Sequence, residues 1–229
     1  MLTARKGGGM TADSSAGRVN QKRRTRAAIL AAARDLITGS AEVTMPAVAQ
    51  AALVSEATAY RYFPDLISLL REAVDDTWPS PAEALGAAGD SADAVERIGI
   101  GTERLLRHVQ AYQGAVRAMI AAAVVRPRAG GIRPGYRFAI IDHALVPLED
   151  TLGLRSPEAF RRLKQDLAIV VSAEALFTLT DLCQLSPDAA IASAVRSART
   201  LTAAAISEWL AGSPDRPSAS RQNCGESPG

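Results

Sequence analysis

The chain has 229 residues with 26 Lys+Arg against 24 Asp+Glu, and 48% of it is hydrophobic. That length suits one large domain or a small domain joined to a larger one. Its two cysteines, Cys183 and Cys224, lie far apart without a CxxC, which argues against a disulfide framework or structural zinc and suits a reducing cytoplasm.

The N-terminus is basic but lacks a following apolar core, so no secretory signal is expected. AIVVSAEALFTL (168–179) is the nearest approach to a membrane span, and it contains Glu174. Residues 1–28 carry Arg5, Lys6, Arg18, Lys22, Arg23, Arg24 and Arg26 with Asp13 as the only acid. Such an arm is either a solvated tail or an anchor for a polyanion. Residues 1–20 and 212–229 are rich in Gly, Ser and Pro and are expected to be disordered.

Between these ends the period is helical and alanine is abundant. The first helix is predicted from about Lys22 to Ile37, with Ile29, Leu30, Ala33, Leu36 and Ile37 as its apolar stripe. Gly39 and Ser40 end it. Thr44 caps a short second helix to about Ala52, with Pro46 in its first turn. Ser55 caps a third to about Tyr62, and Asp65 caps a fourth towards Trp78.

PSPAEALGAAGDSA (79–92) reads as a linker. Apolar faces then follow through Val95, Ile98, Leu105 and Val109, and through Val116, Met119, Ile120 and Val124, before a loop at 126–135. A helix over about Tyr136–Leu152 contains Pro147, which removes a bond to the His143 carbonyl and should kink it. SPEAF (156–160) and SPDAA (186–190) each supply a Ser cap, a Pro and an acid for two long final helices, the first reaching Leu185 and the second Gly212. The expected fold is all-α, with about nine helices.

The few aromatic residues concentrate in VSEATAYRYF (54–63). Two short helices separated by Leu53-Val54 fit a helix-turn-helix, although such a pair could also be plain core. Val48, Ala49, Ala52, Val54 and Ala57 are small enough for close approach, and Phe63 is expected to plug the small core. Tyr60 and Tyr62 point different ways and each needs a partner for its hydroxyl, which phosphates flanking a groove-inserted helix would supply.

TMPAVAQAALVSEATAYRYFPDLISLL (44–70), preceded by AAILAAARDLI (27–37), resembles the DNA-binding segment of TetR-family transcriptional repressors. The matching positions are Thr44, Val48-Ala49, Val54-Ser55, Thr58, Tyr60, Tyr62 and Phe63. The resemblance implies a helix-turn-helix domain over 21–76 and an effector-binding and dimerisation domain over 77–211. It implies phosphate contacts from Thr44, Thr58, Tyr60 and Tyr62, with base-edge contacts from Glu56, Ala57 and Arg61 near the Ser55 cap. Two positions depart from the family pattern: Leu53 stands where glycine is usual, and Leu66 where a phosphate-gripping lysine is usual. Lys22, Arg23, Arg24 and Arg26 are expected to replace that lost grip on a DNA operator.

The resemblance also implies a small-molecule effector, a palindromic operator and a homodimer through the last two helices. Those helices carry Leu167, Val170, Val171 and Phe177, and Ile191, Val195, Ala198, Leu201, Ala205 and Ile206, which suit either a two-fold bundle or an intramolecular core. Trp78, Tyr112, Met119, Tyr136, Phe138 and Phe177 are candidates for an apolar effector pocket, with Arg104, His108, Arg117, His143, Glu174 and Asp181 as polar anchors. The mixture suits a hydrophobic ligand bearing an acidic group. A regulator without an effector, or an activator, is the alternative. Catalysis is not expected: His108 and His143 are the only histidines, without HExxH or Glu-x-x-His, and GGIRPG (130–135) lacks the P-loop lysine. No cofactor or metal is implied.

Overall fold

The computed structural model describes residues 11–38, 43–75, 77–125 and 135–212. Arg5 and Lys6, most of the expected loop at 126–135, Cys224 and the tail from 213 lie outside the described residues. The described residues form eleven α-helices, two 3₁₀ segments and one π turn, without a strand. They fall into two compact units, Met1–Ser80 with Leu106–Gly135 and Pro81–Leu105 with Tyr136–Gly229.

In the first unit, α1 (Thr11–Thr38) packs on α2 (Met45–Ala51) and α4 (Leu66–Asp75), and α2 packs on α3 (Glu56–Tyr62). Ile29 and Ala33 of α1, Val48 and Ala49 of α2, Ala59 and Phe63, and Leu69, Leu70 and Val74 of α4 are buried. Phe63 plugs this core, as its position beside Pro64 predicts. For residues 11–20 of the arm expected to be disordered, the structure shows helix instead, since α1 includes them; residues 1–10 lie outside the described residues. No proline interrupts residues 11–38, and extending a nucleated helix gains a backbone bond per residue ordered.

The short helices begin where their caps lie. Thr44 Oγ1 accepts from the Ala47 amide at 3.3 Å, and Ser55 Oγ from the Thr58 amide at 3.2 Å. Asp65 Oδ1 accepts from the Ser68 amide at 2.7 Å, and that bond holds its carboxyl below the usual carboxylate range.

The turn between α2 and α3 is a Schellman motif. The Val54 amide donates to the Ala49 carbonyl at 2.9 Å and the Leu53 amide to the Gln50 carbonyl at 3.1 Å. This geometry puts Leu53 at φ 55°, in the left-handed region, with its side chain 92% exposed. Leu66, at the other departure from the family pattern, is half-buried at the start of α4.

The helix α7 (Gln113–Val125) also packs on α4, so the compact unit takes in more chain than the expected 21–76. The helix α6 (Ala94–Ala111) contributes residues to both units.

In the second unit, residues 81–90 of the expected linker at 79–92 are instead helical: α5 (Pro81–Leu85) is followed by a 3₁₀ segment, Gly86–Asp90. Pro81 suits a first helical position, and Ala84 and Leu85 are buried while α5 packs on α8. The composition of Gly, Pro and Ser concealed these apolar anchors.

The predicted helix over 136–152 breaks at the proline. The helix α8 (Tyr136–Ala144) gives way to a 3₁₀ segment, Val146–Leu148, and a π turn, Glu149–Gly153. The expectation that Pro147 leaves the His143 carbonyl free needs correction, because Arg97 Nη2 donates to it at 2.5 Å. Arg97 is 4% exposed; its Nε donates to the Ala144 carbonyl at 3.1 Å, and its Nη1 to the carbonyls of Gly89 and Ser91.

The predicted helix from 156 to 185 is likewise two: α9 (Pro157–Val170) and α10 (Ala173–Asp181). Ser172 separates them, accepting from the Ala175 amide at 3.0 Å and donating to the Ile169 carbonyl at 2.7 Å. Arg137 Nη1 reaches the Ala168 carbonyl beside this break. Of the two Ser-Pro caps, Ser186 bonds the Ala189 amide at the start of α11 (Pro187–Gly212), whereas Ser156 makes no side-chain cap bond.

Candidate nucleic-acid interface

The helix α3 buries one face and exposes the other. Ala59 and the C-capping Phe63 lie in the core, Thr58 and Tyr62 are half-buried, and Glu56, Ala57, Tyr60 and Arg61 are exposed. Tyr60 is 48% exposed, large for a ring in a chain with so few. Glu56 and Ala57 occupy the first turn, from which a groove-inserted helix reaches base edges. Among the expected backbone contacts, Thr44 is half-buried at its cap, and Ser55 Oγ donates to Thr58 Oγ1 at 3.0 Å.

An open groove of about 440 Å³ lies beside this face. Gln21, Lys22 and Thr25 of α1 line one side; Ser55, Thr58, Arg61 and Tyr62 line the other. Gln21 and Thr25 were not singled out from sequence. Their signal is the four-residue spacing that puts both beside Lys22 on one helix face.

The basic cluster of α1 divides. Lys22, Arg23 and Arg24 are exposed. Arg26 instead forms a two-bond ion pair with Glu72 of α4, including Nη2 to Oε2 at 2.6 Å, and its guanidinium lies 4.9 Å from the Phe63 ring centroid. Arg61 lies 5.6 Å from the Tyr62 ring centroid.

The bacterial regulatory proteins, tetR family, are matched by residues 29–73, the segment that holds the core of the first unit and all of α2 and α3. That segment carries the helix-turn-helix signature of the TetR family. A TetR transcriptional regulator from Rhodococcus sp. RHA1 shares its fold, at 23% identity and TM-score 0.50, over 79% of this chain and 97% of that one. No curated protein matches the chain significantly. The two-unit all-α architecture is thus a fold shared with a TetR transcriptional regulator.

The candidate effector residues fall in both units. In the first, Trp78, His108 and Tyr112 stack, with centroids 4.1 Å and 4.6 Å apart, and His108 Nε2 lies 3.0 Å from Thr77 Oγ1. Thr77 already donates to the Val74 carbonyl, so it accepts from the Nε2–H of His108, and burial lowers the pKa of that ring. Met119 is buried and Arg117 half-buried.

In the second unit, Glu174 is ion-paired to Arg137 at 2.7 Å, while His143 and Phe177 are half-buried and Phe138, Arg104 and Asp181 exposed. Burial raises the pKa of Tyr136, with Glu83 adding to it. Among the described residues no cluster of three or more His, Cys, Asp or Glu could hold a metal, and no helix is long and apolar enough to cross a membrane.

Proposed function

We propose that the protein is a cytoplasmic transcriptional repressor rather than a catalyst. It binds a palindromic operator as a homodimer and is released by a small hydrophobic effector taken up by its C-terminal helices. The observation that carries this reading is the outer face of α3, where Glu56, Ala57, Tyr60 and Arg61 are exposed while Ala59 and Phe63 anchor the helix from behind. Thr44, Thr58, Tyr60 and Tyr62 supply hydroxyls for phosphates. Glu56 can accept from a cytosine amino group, and Ala57 can meet a thymine methyl.

Release follows from linkage: an effector that binds better to the form with low DNA affinity weakens DNA binding by its preference ratio. A regulator without an effector is the second reading. It is supported by the mutual stacking of Trp78, His108 and Tyr112 and by the Glu174–Arg137 pair, which already engage several candidate ligand contacts.

Selection of genomic fragments followed by footprinting tests the proposal. The expected product is an inverted repeat whose half-sites are about one helical turn, roughly 10 base pairs, apart. Protection independent of sequence, or none at low ionic strength, would reject it. Thermal-shift screening of small hydrophobic acids on the same protein then separates the two readings, since only the first expects a ligand that both stabilises the protein and releases the DNA.

A further inference from the structure

We infer that the groove between α1 and α3 is a seat for a single DNA phosphodiester, held jointly by Lys22 and Arg61, so that Arg61 positions the duplex and does not read its sequence. This inference rests on the DNA-binding reading above and assigns roles within it. Lys22 and Arg61 stand on opposite sides of a groove whose lining, among the described residues, contains no carboxylate. Neither forms an ion pair with a described residue, in contrast to Arg26, which Glu72 already holds. Two unneutralised cations facing one concave space favour an anion there, and a phosphodiester offers both of them an oxygen.

The hydroxyls point to the same ligand. Ser55 Oγ donates its hydrogen to Thr58 Oγ1, which leaves the Thr58 hydrogen available for an outside acceptor. Thr25 directs its own hydrogen to the Gln21 carbonyl at 3.0 Å and so shapes the wall without donating from it. Tyr62 lines the groove and its ring lies under the Arg61 guanidinium, which restrains that long side chain on the groove side of α3. The seat therefore has two cations and two hydroxyl donors, the donor set of a backbone contact, with the Gln21 amide beside them on the α1 wall. Base reading is left to Glu56 and Ala57, which are exposed on α3 and do not line the groove.

The test uses the full-length protein and a mixed-sequence duplex of about 30 base pairs, with affinity followed by fluorescence anisotropy as salt is raised. A phosphate seat acts on any sequence, so Arg61→Met should weaken binding to this duplex, and Lys22→Met should do the same. Because both cations serve one phosphate and the proposed dimer carries two such seats, the double variant should lower the slope of log K against log salt by about 1.8 per bound dimer, the value for one lost phosphate contact in each protomer. A fall of about 3.6 would assign the two residues to separate phosphates and overturn the shared seat. An unchanged slope would overturn the seat altogether. Failure of the unmodified protein to bind the duplex would instead sink the DNA-binding reading, so the two failures are distinguishable. Both side chains are exposed, and matching melting curves for the variants confirm that any loss is one of contact.

Discussion

Leu53 shows a local requirement met by an ill-suited residue. The Schellman turn needs a left-handed backbone at that position, and leucine adopts it at φ 55° with almost no side-chain contact to offset the strain. Holding an L-residue there costs roughly 1–2 kcal/mol, of which a glycine would return part to unfolded-chain entropy. Leu53→Gly is therefore expected to stabilise the protein by up to about 1 kcal/mol, read as a higher urea midpoint with unchanged slope. A lower midpoint would mean that Leu53 makes a contact in solution that its 92% exposure excludes.

At the scale of elements, two helices are broken and an arginine serves each break. Pro147 cannot donate to the His143 carbonyl, and the following 3₁₀ bond from Leu148 goes to Leu145, leaving the Ala144 carbonyl open as well. Arg97 takes both, and in addition holds the carbonyls of Gly89 and Ser91 that precede its own helix. A buried planar fork suits this because its donors point in several fixed directions.

Arg97→Met should cost about 2–4 kcal/mol, since it leaves several carbonyls without partners in a buried site. Arg97→Lys should recover less than half of that, because an ammonium cannot reproduce the fork. Thermal or denaturant unfolding of the two variants checks this; a lysine variant that melts with the native protein would show that charge alone suffices. Proline at 147 announces the break in the sequence, but nothing within reach of it in the chain identifies Arg97 as the residue that satisfies it.

At the scale of the molecule, the last helices serve their own unit first. Leu167, Val171, Ile191 and Ala198, all plausible dimer contacts by pattern, are buried within the described chain. What remains outside is different: Leu182 and Leu210 are 78% and 56% exposed, and Ile206 lies half-buried one turn before Leu210 on α11. We place the proposed two-fold contact on this remaining surface. Ile206→Glu combined with Leu210→Glu should convert the dimer to a monomer in analytical ultracentrifugation while leaving the helical content unchanged. An unmodified protein that sediments as a monomer, or a variant that stays dimeric, would remove the interface assignment.

The sequence by itself determined the helix-turn-helix segment, because caps, turns and small apolar residues act within a few positions of one another. Thr44, Ser55 and Asp65 begin their helices where their side chains bond nearby amides, and Phe63 closes the core beside Pro64. Tertiary structure alone decided the features that depend on residues distant in the chain. The pairing of Arg26 with Glu72, the reach of Arg97 to the break at Pro147, and the burial of α5 beneath a composition that reads as linker are of this kind. Local hydrogen bonds leave their signature in residue order. The choice of which distant group meets a buried carbonyl or a charge is made only when the helices come together.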